Sequence, residues 1–310
     1  MSGDGVQVVG NRKIGIALGS GSARGWAHIG VLKGLRTLGI EPEIVTGCSA
    51  GSLVGAAYAC GYLDEFEDWV CSLHWRDVMG LVDVTLSGGL VRGDKMLQFF
   101  RENDRDALIE DVERPYAAVA TNMETGQEVW LREGSILEAV RASCTFPGLF
   151  APVLRDGAWM LDGGLVNPLP VSLCRAMGAD IVIAVDLNTH LVRPRLRRQE
   201  EIEASAWREK LSGLIGPQKP RQEAPGIMEV MATSIHIMQD RITRSRMAGD
   251  PPDILLTPQL AEYGMFDFSR SVDAIAEGEA VVLAAAQRIR RLTGIEAAEP
   301  VEVAEPALPE

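Results

Sequence analysis

The sequence predicts an α/β fold: a central, mostly parallel sheet with helices on both faces. Three observations carry that prediction. Ile14-Gly15-Ile16-Ala17-Leu18 and Ile181-Val182-Ile183-Ala184-Val185 are short runs with apolar or small residues at every position, as in strands covered on both sides. The runs ending at Leu18 and Cys48 each empty through glycines into apolar residues at helical spacing, which makes two strand-loop-helix units. With 310 residues, 46% hydrophobic and 24% charged, the chain is long enough to bury a core of that size.

Lys13 to Leu18 is the first strand, followed by Gly19-Ser20-Gly21-Ser22-Ala23-Arg24-Gly25 and a helix marked by Trp26, Ile29, Leu32, Leu35 and Leu38, with Gly39 as its C-terminal cap. Ile44 to Gly47 is the second strand, and Leu53, Val54, Ala57 and Tyr58 mark the helix after it. Helical pieces are expected at Leu63 to Leu73 and Lys95 to Arg101, with a glycine-rich break at Ser87-Gly88-Gly89. Tyr116 to Thr121 and Gln127 to Leu131 read as a hairpin around Glu124-Thr125-Gly126. A short helix from Ile136 to Ala142 leads into Ser143 to Pro152, where proline and glycine stop regular structure. Phe146, Leu149 and Phe150 in that stretch either pack on the core or line an acyl pocket. Trp159 to Leu161 is a strand, Pro170 to Met177 and Ile227 to Met247 are helices, Asp253 to Leu256 is a strand, and Ser271 to Leu292 is a long helix.

Residues 1–12 read as an N-terminal extension and 13–295 as one domain, with its core motifs in 14–174. A charged insertion at about 190–225 begins with Arg193, Arg195, Arg197 and Arg198, either a solvated excursion or a basic patch touching anionic headgroups. The acidic tail 296–310 is expected to be disordered. The net charge of −13 disfavours nucleic-acid binding and a broadly polybasic membrane face, leaving local peripheral contact open. No signal-type h-region and no long uncharged apolar run is present, so a cytoplasmic location is expected. Five cysteines without a CxxC pair read as reduced thiols, and no cluster has metal-ligand spacing, so neither a metal nor another cofactor is expected.

The chemistry centres on Gly47-Cys48-Ser49-Ala50-Gly51. A Gly-x-Ser-x-Gly segment between strand and helix turns sharply enough to lift the serine hydroxyl out of the sheet, above the positive end of the helix. The alternative is a tight turn with an N-capping serine and no chemistry. The glycine loop at 19–25 suits a negative charge at the helix start. For a dinucleotide, its third glycine comes one residue late and the second strand ends in Gly47-Cys48-Ser49 instead of an acid. The other reading is an oxyanion hole with N–H donors around Gly21 and Ser22. A proton acceptor is then needed. Among His28, His74, His190 and His236, a Ser-Asp-His order formally permits His190 or His236, but neither lies in a loop after a late strand. His28 fits a packing role. That leaves Asp162, which ends an apolar strand and precedes Gly163 and Gly164, as a base acting directly on Ser49.

The glycine loop ending in Ala23-Arg24-Gly25, then Ala27-His28-Ile29-Gly30-Val31-Leu32, then Gly47 to Gly51, then Asp162-Gly163-Gly164, resembles the patatin-like phospholipases. The likeness extends towards bacterial members through Ala142-Ser143-Cys144, Phe146-Pro147-Gly148, Ala179 to Leu187 and Met247 to Asp253. It implies a patatin-like three-layer α/β/α fold and hydrolysis of lipid or lysolipid esters. It also implies Ser49 as nucleophile, Asp162 as proton acceptor, the loop at Gly21, Ser22 and Arg24 as oxyanion hole, and no metal. Ser20 and Ser22 depart from the consecutive glycines of many relatives. A non-hydrolytic lipid-binding or regulatory protein on the same fold is the competing expectation.

Overall fold

The computed structural model describes residues 12–73, 97–102, 106–189, 227–264 and 267–295. The N-terminal extension, the 87–89 break, the insertion at 190–225 with His190, His74 and the acidic tail lie outside the described residues.

Among the described residues, eight strands form one sheet: β1 (Ile14–Leu18), β2 (Ile44–Cys48), β3 (Tyr116–Asn122), β4 (Glu128–Leu131), β5 (Val153–Arg155), β6 (Ala158–Asp162), β7 (Ile181–Val185) and β8 (Ile254–Leu256). β3, β2, β1, β7 and β8 run parallel side by side, while β4, β5 and β6 join antiparallel. The helices are α1 (Ala27–Thr37), α2 (Ala50–Ala59), α3 (Leu63–Ser72), α4 (Gln98–Glu102), α5 (Ile136–Ser143), α6 (Val171–Ala176), α7 (Ile227–Gly249) and α8 (Ser271–Thr293). A 3-10 turn, Ser22–Trp26, separates the glycine loop from α1.

Side chains alternate between the two faces as strand geometry requires. Ile14, Ile16, Leu18, Ile183 and Val185 join the larger core with α1, α2, α3 and α8. Ala17, Val182 and Ala184 face Val171 and Cys174 of α6. The central strands are therefore buried on both sides, the three-layer arrangement that their unbroken apolar runs anticipate. α1 and α8 nearly touch, because a Cβ on Gly30 would lie 1.8 Å from the Ile275 carbonyl oxygen and one on Gly278 2.0 Å from that of Ala27. Gly39, at φ +77°, ends the first helical unit as expected. Cys48, Cys144 and Cys174 are buried thiols, Cys60 is half-buried and Cys71 exposed, all unpaired.

β3 decides where the motifs meet. Ala118 pairs with Gly47 of β2 and with Leu131 of β4, so those two strands occupy opposite edges of β3. Ala120 pairs with Val129 of β4 and with Asp162 of β6, which puts β6 on the same edge as β2. β2 climbs that edge and ends with Cys48 opposite Val119, and β6 descends it to end with Asp162 opposite Ala120. The two strands abut end to end. Among the described strands and α-helices, β5 alone has no counterpart in the sequence reading, since a three-residue strand after Pro152 is too short to show a period.

Candidate active site

The abutting ends of β2 and β6 bring Ser49 and Asp162 together across 113 residues of chain, and Ser49 Oγ donates a 2.7 Å hydrogen bond directly to Asp162 Oδ2. Ser49 has φ 53° and ψ −125°, a conformation that costs a non-glycine residue about 1–3 kcal/mol and persists only where its surroundings impose it. They do. A Cβ on Gly47 would lie 2.5 Å from the Gly51 oxygen, and one on Gly51 would lie 2.2 Å from the Leu18 oxygen, so the elbow packs backbone against backbone on both sides. The Ser49 N–H donates to Ser143 Oγ at 2.9 Å, and its carbonyl accepts from the Ser52 N–H and Oγ. Ser143→Ala leaves a buried N–H without that acceptor. We expect a loss of about 1–3 kcal/mol in unfolding free energy, measured by chemical denaturation.

Asp162 is as tightly held. Its Oδ1 accepts from the Gly164 N–H at 2.7 Å, its own N–H donates to the Thr145 carbonyl, and its carbonyl accepts from Thr121 Oγ1. Burial raises its carboxyl from 3.8 to about 6, against the opposing hydrogen bonds from Ser49 and Gly164. Gly163 lets the chain leave β6 across β3, since a Cβ there would lie 2.2 Å from the Val119 oxygen.

Among the described residues, no histidine stands between the two. His28 is fully buried, its Nε2 lies 2.8 Å from the Gly19 carbonyl, and burial lowers its pKa to about 4. His236 lies on α7, 3.3 Å from an Arg24 terminal nitrogen.

The glycine loop closes the site from the other side. The Gly21 carbonyl accepts both the Arg24 N–H at 3.2 Å and its Nε at 3.1 Å. In a trans peptide the N–H of the next residue points the opposite way from that carbonyl. Anchoring the Gly21 oxygen therefore fixes the direction of the Ser22 N–H. Among the described residues, neither the Gly21 nor the Ser22 N–H has a hydrogen-bond partner. Ser22, held at φ 51°, lines one cleft with Ser49 and Ala50. Trp26, Leu53, Cys144, Phe146, Leu149, Phe150 and Phe268 supply the rest of the lining, so the walls are overwhelmingly apolar. A larger cavity of about 520 Å³, lined by Asp106, Ser135, Arg141 and Arg155 among others, contains none of the motif residues.

Arg24 itself is 1% exposed and does not line the cleft, and its guanidinium donates to Asn188 Oδ1 at 3.4 Å as well as to Gly21. Asn188 Nδ2 in turn donates to the Ser20 carbonyl and hydroxyl. The structure thus brings together Ser49, Asp162, Gly47, Gly51, Gly163, Gly164, Gly21 and Ser22, and puts the Arg24 side chain behind the loop instead of in the cleft. Sequence reasoning did not find Ser143 or Asn188 as site residues, because each looks like an ordinary helix-end or loop polar residue. Among the described residues, no group of three or more His, Cys, Asp or Glu side chains could hold a metal ion, and no helix is long and apolar enough to cross a membrane.

Comparison with known sequences gives the family context. A family profile described as Patatin-like phospholipase matches residues 16–175. An NTE family protein of Mycobacterium tuberculosis is 33% identical, over 87% of this chain and 90% of its own length. Lysophospholipase NTE1 of Pyricularia oryzae is 28% identical over 90% of this chain, which spans only 19% of that protein. Human patatin-like phospholipase domain-containing protein 6 is 29% identical over 74% of this chain and 17% of its own length.

Proposed function

Because the chain belongs to the patatin-like phospholipase family, we propose that it hydrolyses acyl esters of phospholipids or lysophospholipids through a Ser49–Asp162 dyad. The observation that carries this reading is the 2.7 Å Ser49 Oγ to Asp162 Oδ2 hydrogen bond, which needs no imidazole. Ser49 Oγ attacks the ester carbonyl as Asp162 takes its proton, and the Gly21 and Ser22 N–H groups receive the oxyanion. Collapse of the tetrahedral adduct re-forms the carbonyl and breaks the bond from the acyl carbon to the ester's alkoxy oxygen, and the leaving alkoxide takes the proton back from Asp162. Water, deprotonated by the same carboxylate, then releases the fatty acid from acyl-Ser49. The apolar walls at Trp26, Phe146, Leu149, Phe150 and Phe268 suit a single acyl chain, and the lysophospholipase name of one relative agrees with such a substrate.

Peripheral contact with a lipid surface fits the same reading. Val230, Met231, Ile237 and Met238 are exposed on α7, and Met231 lies over Gly148 in the loop that lines the cleft. The test is covalent: a fluorophosphonate probe should label the wild type at Ser49 with one equivalent by mass and leave Ser49→Ala unlabelled. Fatty-acid release from lysophosphatidylcholine and phosphatidylcholine should likewise depend on Ser49. Folded wild type that takes no label and releases no fatty acid would instead support a lipid-binding protein.

A further inference from the structure

α7 reaches both halves of the site from outside the residues that the family profile matches. Its inward face carries His236, Gln239, Asp240 and Thr243, the last three buried. Gln239 Oε1 accepts from Ser20 Oγ at 3.3 Å, and its Nε2 lies 2.3 Å from where a Cβ on Gly164 would stand. One turn earlier, His236 Nε2 lies 3.3 Å from the Arg24 terminal nitrogen. A guanidinium is donor only, so that ring nitrogen must be a bare acceptor with the proton on Nδ1. Arg24 has three acceptors in this arrangement: the Gly21 carbonyl, Asn188 Oδ1 and His236 Nε2.

We infer that His236 is a positioning residue for the oxyanion hole: by holding the Arg24 guanidinium it holds the Gly21–Ser22 peptide, and so aims the Ser22 N–H at the carbonyl attacked by Ser49. This rests on the hydrolytic reading above. The ring suits the task because burial, and then the neighbouring Arg24 charge, lower its pKa to about 3 and keep it a neutral acceptor at ordinary pH. Arg24, lowered by burial to about 10, stays a cation beside it. His236 does not touch the dyad and takes no proton from Ser49. Misdirection of an oxyanion donor acts on the tetrahedral adduct more than on bound ester, so the loss falls on kcat.

Side-chain reach supplies the test. The amide of glutamine can occupy the position of a histidine Nε2 and offer an oxygen to Arg24, whereas asparagine is shorter and stops near Nδ1. His236→Gln should keep kcat within about threefold of wild type, and His236→Asn should lower it about 10- to 100-fold with KM changed less than threefold. Both variants are to be matched for thermal unfolding and assayed by fatty-acid release beside Ser49→Ala. Equal kcat in both variants, whether retained or lost, overturns the positioning role, as does a loss that falls on KM. Wild type without Ser49-dependent release overturns instead the hydrolytic reading on which the role depends.

Discussion

Asp162→Asn is expected to lower turnover roughly 10³- to 10⁴-fold, and at neutral pH to leave a protein more stable than the wild type. The amide keeps the shape of the carboxylate: its oxygen can accept from the Gly164 N–H, and its nitrogen can donate to Ser49 Oγ. What it loses is the ability to take a proton. The stability gain follows from the raised carboxyl. With a folded value of about 6 against 3.8 in its unperturbed state, Asp162 binds its proton more tightly in the folded chain. Its favourable contribution is therefore complete below pH 3.8 and is lost as pH rises through 6. The rise from 3.8 to about 6 corresponds to about 3 kcal/mol. The variant's advantage in unfolding free energy should grow between about pH 4 and pH 6 and stay level above, up to that size. The same titration shapes the wild-type rate: kcat/KM should rise about tenfold per pH unit below about 6 and flatten above it, as the unprotonated base appears. A variant retaining more than a tenth of wild-type turnover would put the base elsewhere. So would a profile with no inflection near 6.

Why Ser49, Asp162 and the glycine loop stand out in the sequence, and Ser143, Asn188 and His236 do not, comes down to the range over which each signal acts. Gly47, Gly51 and Gly163 announce themselves because a side chain cannot fit where backbone lies against backbone, and each lies within two residues of Ser49 or Asp162. The apolar runs of β1 and β7 carry their burial on both faces in every residue. The end-to-end meeting of β2 and β6 on β3 has no such local mark, because strand order is set by packing between segments far apart in the chain. His236 shows the same gap from the other side. Its spacing on α7 is that of any helix, and the 212-residue return to Arg24 gives its ring nitrogen a hydrogen-bond partner. Weighing it as a triad base was reasonable on residue type, yet Arg24 occupies the nitrogen that would have had to accept a serine proton. The 3-10 turn at Ser22–Trp26 is a further case: the apolar spacing from Trp26 onward marks the helix without showing that its first turn is wound more tightly.

Gly163→Ala is the second large effect expected, and it separates the architecture of the site from its chemistry. The added methyl changes no charge and no donor, and φ at this position lies outside the left-handed region, so backbone preference is not at issue. Its carbon would lie 2.2 Å from the Val119 carbonyl oxygen, 2.7 Å from the carbon bearing it and 3.0 Å from the Val119 Cβ. Two of those three neighbours belong to the backbone of β3, which is held on both edges, by β2 and β6 on one and β4 on the other. The turn has to give way. Lifting it by about 1 Å carries Asp162 from Ser49 and the Gly164 N–H from Asp162 Oδ1 at the same time. A displacement of that size costs roughly 10²-fold in rate, and overpacking at a closed backbone contact costs about 1–3 kcal/mol in stability. Both losses should appear together, in steady-state turnover and in the denaturation midpoint. Phosphonylation of Ser49 should slow in step with turnover, because the displaced carboxylate no longer accepts its proton. Turnover within threefold of wild type would mean that the crossing over β3 does not hold the acid in place.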